Sequence, residues 1–234
     1  MITSQQMQEL EDYAESKGVS TLDLMENAGR EFVKAVKNKY ESQLDGRKVV
    51  IFCGTGNNAG DGFVAARYFA EEFPVIVILF GDKDKLKEEA KKNFLKLDWP
   101  ITIVEIQTQD DLSHFRFQED LEMLLIDALL GTGVQGDVRE PISVGIDLFN
   151  KLKGIKVAVD LPSGLNPDTG ELASSSCKVD FIVTFHDLKV GMEKFKKKTV
   201  IVDIGIPKIE NVSNSKDTLN LEFDEDDVKI EKAF

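Results

Sequence analysis

A glycine-rich loop between an apolar segment and a helical pattern constrains the fold of this chain more than any other feature. Residues 49–53 read Val-Val-Ile-Phe-Cys, residues 54–62 contain four glycines, and residues 63–69 continue with helical periodicity. This order predicts a strand, a loop and a helix, the unit from which parallel sheets are built. Glycines allow close approach of a ligand, and the N–H groups at a helix start favour anions such as phosphate.

The same loop carries polar side chains that a simple phosphate loop does not need. Asn57, Asn58 and Asp61 lie among its glycines. Amide and carboxylate oxygens beside backbone carbonyls are ligands that hard cations prefer. The loop therefore predicts binding of an anion and a metal ion together.

Apolar segments of strand length recur along the chain, and helical patterns separate most of them. Thr3 or Ser4 caps a first predicted helix, Ser20 or Thr21 caps a second, and further helices are predicted at 86–97 and 142–152. Strands that are apolar on both faces and alternate with helices indicate an α/β fold, a three-layer αβα Rossmann-like arrangement whose mostly parallel sheet is covered by helices on both faces. The predicted strands are residues 49–53, 75–80, 101–106, 123–130, 157–161, 181–185 and 200–204.

Composition indicates one domain and excludes several classes of function. With 234 residues, 42% of them hydrophobic, one core is expected in a domain of residues 1–208, followed by an acidic tail or linker at 209–234. No apolar run approaches about 18 residues and no secretory signal begins the chain, so we expect a cytoplasmic protein that does not enter a membrane. The net charge of -13 argues against nucleic acid, and the basic run 194–198 is predicted as a solvated hairpin or loop.

Three predicted strands end in loops that combine glycine with polar residues, at 54–62, 127–137 and 160–166. In open parallel sheets ligands bind beyond the carboxyl ends of the strands, so we expect one shared site. A rival interpretation stays open, because Gly54, Gly56 and Ala59 also fit the dinucleotide fingerprint, with Asp82 as a ribose ligand. That interpretation predicts an NAD(P)-dependent oxidoreductase. Cys53 and Cys177 lack metal-ligand spacing and are predicted to be buried thiols.

Six motifs occur in the order seen in one family. They are residues 24–29 (Leu-Met-Glu-Asn-Ala-Gly), the loop 54–62, and residues 127–133, 159–164, 184–191 and 203–207. Over residues 1–208 the chain resembles the NAD(P)H-hydrate epimerases, which are also called YjeF N-terminal-type domains. One departure is Ala59, where the family usually has glycine. A single added methyl group is expected to cause a small local shift without loss of the site.

The resemblance implies an isomerase that interconverts the R and S forms of hydrated NADH and NADPH, called NADHX and NADPHX. It implies one K⁺ per subunit, held by Asn58, Asp127 and Ser163 with carbonyl groups, and places Asp160 and Lys189 at the reacting ring. Structural roles stay open: Asp127 capping a turn, Lys189 at the surface, and Ser163 bonded to its own backbone. The implied substrate-binding residues are Asn57, Asn58, Ala59, Gly60, Asp61, Gly131, Thr132, Gly133, Val134, Gln135, Gly136, Asp137 and Asp160.

The chemistry of the implied substrate explains why a carboxylate is needed. The ring nitrogen can expel the C6 hydroxyl to give an iminium-like cation, and water can return to either face; ring opening is a second route that stays open. Asp160 could protonate the leaving hydroxyl and deprotonate the incoming water, an effect of about 10²- to 10⁴-fold. We therefore expect Asp160→Asn to impair turnover while changing the melting temperature little.

The resemblance also suggests partners and an alternative. Many family members are fused to a dehydratase, so a separate dehydratase is an expected partner, and the amphipathic amino-terminal helices are expected to form a homodimer contact. A non-catalytic binding or scaffold protein of the same fold is the alternative. The presence of Asp127, Asp160 and Lys189 together argues against it.

Overall fold

The computed structural model describes residues 1–113, 122–133 and 136–208, and within them seven strands form one sheet. Every pair of neighbouring strands is parallel, and all seven predicted segments are strands. The strands are β1 (Lys48–Cys53), β2 (Val75–Phe80), β3 (Thr102–Ile106), β4 (Met123–Ala128), β5 (Ile155–Val159), β6 (Phe181–Phe185) and β7 (Thr199–Val202). Their order is β3-β2-β1-β4-β5-β6-β7, so the direction of winding reverses between β1 and β4.

Helices precede the sheet and connect its strands. Thr3 and Ser20 begin the first two helices, and each forms a capping box that satisfies N–H groups of the first turn. The pattern at 86–97 forms a shorter helix than predicted. The helices of the described residues are α1 (Ser4–Ser16), α2 (Thr21–Tyr40), α3 (Asn57–Ala70), α4 (Glu88–Phe94), α5 (Gln109–Ser113) and α6 (Ile142–Lys151).

The basic run 194–198 belongs to a 3-10 helix, Val190–Lys198, so the prediction of a solvated hairpin or loop was wrong. The physical reason is anchoring to the core. Met192 is fully buried, Phe195 packs against the same hydrophobic cluster, and Lys198 Nζ donates to the carbonyl of Val179. The charged side chains are exposed while the segment as a whole is packed on the sheet.

Side chains of alternate strand residues face two separate cores, which confirms the three-layer fold. Ile51 lies in a cluster with Phe32 of α2 and Phe63 of α3. Phe52, its neighbour, points to the other face, where its ring stacks on Phe80 and meets Phe149 of α6 edge to face. Cys53 and Cys177 are both buried as free thiols, as predicted.

Two strands end earlier than their apolar residues suggested. The segment 123–130 leaves the sheet after Ala128, and 157–161 leaves it after Val159. Asp160 has a φ of +64°, a conformation that ends a strand. No helix of the described residues is long and apolar enough to cross a bilayer. The predicted tail at 209–234 lies outside the described residues, so the predicted domain boundary stays a prediction.

Candidate active site

The first two glycine loops meet at the point where the winding of the sheet reverses. The backbone of Gly54 approaches that of Leu129 so closely that a Cβ on Gly54 would lie 2.2 Å from the Leu129 carbonyl oxygen. Asn58 Nδ2 donates to the carbonyl of Leu130 at 3.0 Å, and a Cβ on Gly131 would lie 3.2 Å from that of Asn58. These contacts form one crevice at the carboxyl ends of β1 and β4, where α/β sheets bind ligands.

The start of α3 lies in this crevice without a side-chain cap on its N-cap residue, Gly56. Asn57 is exposed, whereas Ala59 and Gly60 are buried. A Cβ on Gly60 would lie 2.3 Å from Met25 Sδ, so this glycine is needed for packing. Ala59 can therefore reach a ligand only through its backbone N–H group, which suits a phosphate at a helix start.

The second loop lies beside the first at its beginning. Gly131 and Thr132 are half-buried, and Gly133 is exposed with open space around the position of a Cβ. Gly136 has a φ of +82°, and the exposed Asp137 accepts a hydrogen bond from Ser174 Oγ at 3.3 Å. Val134 and Gln135 lie outside the described residues. Gly131 is thus the residue of this loop that the structure brings next to Asn58.

Asp127 is fully buried near the end of β4 and is held by Ser163. Its carboxylate accepts from the Ser163 N–H at 2.7 Å, from Ser163 Oγ, and from the Leu129 N–H at 3.3 Å. Ser163 Oγ in turn accepts from the Leu130 N–H at 2.9 Å. Asn58, Asp127 and Ser163 therefore meet around Leu130, and the interpretation in which Ser163 bonds only to its own backbone was wrong.

Hydrogen bonds, not a basic side chain, offset the charge of Asp127. Burial raises the pKa of this carboxyl, while hydrogen bonds from Ser163, Leu129 and Cys177 oppose the rise. Burial and the nearby Asp127 raise the pKa of both the Cys53 and the Cys177 thiol well above the usual value. A buried carboxylate with this environment favours a bound cation. The Asn58 amide, the Ser163 hydroxyl and the Leu130 carbonyl supply further oxygens, a donor set that fits a hard ion such as K⁺.

Asp160 follows β5 directly and forms an ion pair with Lys189. Its Oδ1 accepts from Thr184 Oγ1 at 2.9 Å, from the Phe185 N–H at 3.1 Å and from Lys189 Nζ. Lys189 is fully buried and also donates to Thr184 Oγ1 and to the Phe185 carbonyl, each at 3.0 Å. The surface interpretation of Lys189 was therefore wrong, and all three of its protons are used.

Asp160 and His186 occupy equivalent positions after neighbouring strands. Each has a φ of +64°, and their N–H groups donate to Val183 and Val202 at 2.8 and 2.9 Å. A non-glycine residue in this region costs about 1 to 3 kcal/mol, and such residues cluster at functional sites. Burial lowers the pKa of His186. Both residues therefore lie directly after their strands, at the edge of the sheet where the glycine loops lie.

Sequence reasoning missed Glu11 of α1, and the structure places it near the ion pair. Burial, followed by the charge of Asp160, raises the pKa of Glu11 from 4.5 to about 6. Asp61, half-buried in α3, has a pKa well above its usual value because of burial, Asp160 and Glu11, in that order. The signal that could have found Glu11 is a charge on the apolar stripe of a helix, between Met7 and Ala14.

The motif at residues 24–29 lies in α2 and fixes the position of α2 against α3. Glu26 accepts from Arg67 Nη2 at 2.5 Å and from Tyr68 Oη at 3.0 Å, which ties α2 to α3. Asn27 Nδ2 donates to the carbonyl of Ile204 at 2.9 Å. A Cβ on Gly29 would lie 2.4 Å from that of Val64, so the two helices pack closely here. The motif therefore acts on the crevice through packing.

The fold and the crevice define a Rossmann-like α/β protein with a ligand site at the switch point of a parallel sheet. The model of the family described as YjeF-related protein N-terminus matches residues 21–191, and the chain belongs to this family. It is 38% identical over 211 residues to the NAD(P)H-hydrate epimerase of Nitrosopumilus maritimus, covering 88% of this chain and 95% of that relative.

Two further comparisons concern a longer relative and a solved structure. The chain is 39% identical over 207 residues to the bifunctional NAD(P)H-hydrate repair enzyme Nnr of Methanothermobacter thermautotrophicus, covering 83% of this chain but 38% of that enzyme. It therefore spans less than half of the bifunctional relative. The crystal structure of yeast YNL200c superposes with a TM-score of 0.71 at 21% identity, covering 87% of each chain, and supports the fold.

Proposed function

We propose that this protein is an NAD(P)H-hydrate epimerase, an isomerase that interconverts the R and S forms of NADHX and NADPHX. The observation that carries the proposal is the buried Asp160–Lys189 pair at the same sheet edge as the uncapped start of α3. The ion pair suits the reacting nicotinamide ring, and the start of α3 suits the phosphates of the substrate. The name of the Nitrosopumilus maritimus relative, which this chain matches over nearly its whole length, supports the same activity.

The phosphates of the substrate would bind along the backbone of the two glycine loops. In the first loop, the N–H groups of Asn57, Asn58 and Ala59 begin α3 and favour negative charge. In the second, Gly131 lies beside Asn58, and the position of a Cβ on Gly133 has open space around it. We also assign Val134, Gln135, Gly136 and Asp137 to the substrate-binding loop, as the resemblance implies.

Asp160 would carry the proton transfers at C6 of the ring. All three of its hydrogen bonds reach Oδ1, so Oδ2 is the oxygen for exchange with substrate. Asp160 would deliver a proton to the leaving hydroxyl and, as the carboxylate paired with Lys189, take a proton from the water that attacks the other face. Lys189 would stabilise the carboxylate between these two steps and keep it in position. Because Asp160 gives one proton and takes one proton, a turnover consumes no net proton.

A potassium ion would be held by Asn58, Asp127 and Ser163 with the carbonyl of Leu130. When bound, it would supply a positive charge that neutralises Asp127 and favours the anionic substrate. Asp127 and Ser163 would keep the carbonyl of Leu130 and the start of the second loop in position, because Ser163 bonds both Asp127 and Leu130.

The functional unit would be residues 1–208, with 209–234 as a tail or linker. A dehydratase that consumes one epimer is the natural partner, since the related Nnr proteins are named as bifunctional repair enzymes. We further propose a cytoplasmic homodimer that binds neither nucleic acid nor membrane. The oxidoreductase alternative is less favoured because the Asp82 carboxylate caps the N–H of Asp84 at 2.9 Å.

The test is interconversion of purified R and S hydrates of NADH and NADPH, followed by chromatography. We expect the full chain to equilibrate the two forms much faster than buffer. Asp160→Asn should lose the activity, while Lys194→Gln, a change at an exposed lysine, should retain it. Binding of the hydrate without interconversion would favour a non-catalytic binding protein. Hydride transfer to an added acceptor would favour the oxidoreductase.

A further inference from the structure

Lys189 is carried by a loop, although its side chain is fully buried. β6 ends at Phe185 and the 3-10 helix begins at Val190, so Lys189 lies between the two elements. Its three protons are given to Asp160, Thr184 and the Phe185 carbonyl. The ammonium group can keep these contacts only while the backbone of the loop is held in place.

Ile2 holds the backbone of this loop by forming a parallel bridge with Lys189. The Ile2 N–H donates to the Leu188 carbonyl at 2.9 Å, and the Val190 N–H donates to the Ile2 carbonyl at 3.0 Å. Among the described residues, these are the only main-chain hydrogen bonds that join 188–190 to a distant part of the chain. Lys189 is therefore held on both sides by the two backbone groups of a single residue.

The side chain of Ile2 fixes this residue against the core. It is 1% exposed and belongs to the hydrophobic cluster that includes Met7 of α1 and Phe185 of β6. Two residues later, the Ser4 N–H donates to the Asp168 carboxylate at 2.7 Å, which ties the start of α1 to a second loop. Because residues near a chain terminus are ordered only where contacts tie them down, we expect the apolar contact of Ile2 to decide whether the bridge persists.

We propose that Ile2 is a positioning residue of the active site that acts through Lys189, keeping the lysine ammonium group on Asp160. This inference rests on the proposed function. A displacement of about 1 Å in a catalytic group can lower a rate by about 10²-fold, so loosening of the loop should reduce kcat. KM should change little, because the loops proposed to bind the phosphates follow β1 and β4, whereas Ile2 contacts the loop after β6.

The experiment compares the full chain with Ile2→Gln, which places an amide in an apolar contact. The matched control is Leu44→Gln, a similar change in the same hydrophobic cluster. Leu44 is 3% exposed and lies just before β1, at the opposite edge of the sheet from Asp160. A general loss of stability should therefore affect both variants, whereas a loss of position at Lys189 should affect Ile2→Gln alone.

Reaction of Lys189 with an amine-acetylating reagent, followed by mass spectrometry of its peptide, measures the position of this side chain directly. The exposed Lys194 is the internal reference, since it should react equally in every variant. We expect Ile2→Gln to raise the labelling of Lys189 and to lower kcat, each by at least about tenfold, with KM within about twofold. Ile2→Leu should keep both the protection and the activity, and Leu44→Gln should leave Lys189 protected.

Unchanged protection of Lys189 in Ile2→Gln would overturn the proposal. A labelled Lys189 with an unchanged kcat would also overturn it, and so would equal changes in Ile2→Gln and Leu44→Gln. If the unaltered protein does not interconvert the hydrates, the proposed function fails, while the labelling still decides whether Ile2 holds Lys189 in position. Should Ile2→Gln not fold, Ile2→Ala, which adds no polar group, replaces it with Leu44→Ala as its control.

Discussion

The two buried carboxylates at the strand ends, Asp160 and Asp127, have different kinds of partner. Asp160 is paired with Lys189, a buried cation whose every proton has an acceptor. Asp127 is more completely buried than Asp160, but its partners are the hydroxyl of Ser163 and N–H groups. The first site carries its own counter-ion in the chain. Among the described residues the second has hydrogen bonds and no basic partner, so we propose that an ion from solution balances its charge.

We propose that this difference separates proton transfer at Asp160 from ion binding at Asp127. A carboxylate with a fixed lysine can change its protonation without a change in ion content, which suits repeated proton transfer. A carboxylate with a donor set of neutral oxygens suits a cation that stays through the reaction. Removal of a charge should therefore harm folding at the first site and ion dependence at the second.

The largest effect is expected for Lys189→Met, which removes the built-in counter-ion. Breaking a buried ion pair leaves an uncompensated carboxylate, at a cost of about 3 to 5 kcal/mol in the free energy of unfolding. Denaturant titration of the full chain measures it, with Lys194→Met at an exposed position as the control. Combining Lys189→Met with Asp160→Asn should recover part of the loss. Equal stability of Lys189→Met and its control would mean that the pair contributes nothing to folding.

Asp160→Asn should lower hydrate interconversion by at least about 10²-fold, because the amide cannot exchange a proton. The structure also changes the expectation that its melting temperature stays nearly constant, since Lys189 would keep its charge without an anion. We expect a clear fall in melting temperature, and recovery of stability but not activity in the double variant with Lys189→Met. Near-normal turnover in Asp160→Asn would assign the chemistry elsewhere.

Of the two carboxylates, only Asp127 is expected to be needed for stabilisation of the protein by potassium. At an ion concentration about 100 times the dissociation constant, binding adds about 2.7 kcal/mol to the free energy of unfolding. The measurement is thermal unfolding in KCl against choline chloride of equal ionic strength. Asp127→Ala should abolish the difference, and Asp160→Asn should retain it. The same potassium effect in Asp127→Ala as in the unaltered chain would rule out this carboxylate as a ligand.

The smallest effect is the pH dependence of that stabilisation. Burial raises the folded-state pKa of Asp127, so its contribution to stability is present at low pH and is lost as pH rises through the raised pKa. Potassium competes with this proton. The increase in melting temperature caused by KCl should therefore be larger at pH 8 than at pH 5. An increase that is constant with pH would contradict a direct contact between the ion and the carboxylate.

Much of the fold and of the candidate site could be predicted from the order of residues in the sequence. The features that were not predicted share one cause. The predicted segments and the three loops follow from where apolar runs stop and polar residues begin, whereas the grouping of Asn58, Asp127 and Ser163 came from the family resemblance. The burial of Lys189 was left open, because its acceptors belong to another strand and turn. Glu11 was missed altogether, because its one sequence signal, a charge on the apolar face of a predicted helix, does not say which residues 149 positions away it approaches.

The sequence by itself determined the α/β class, the seven strands and the strand ends where ligands bind, because periodicity and glycine placement act within a few residues. Only the tertiary structure decided which carboxylate has a lysine as its partner, and that this lysine is fully buried. The physical reason is that desolvation and charge–charge energies depend on distances across the fold, which spacing along the chain does not set.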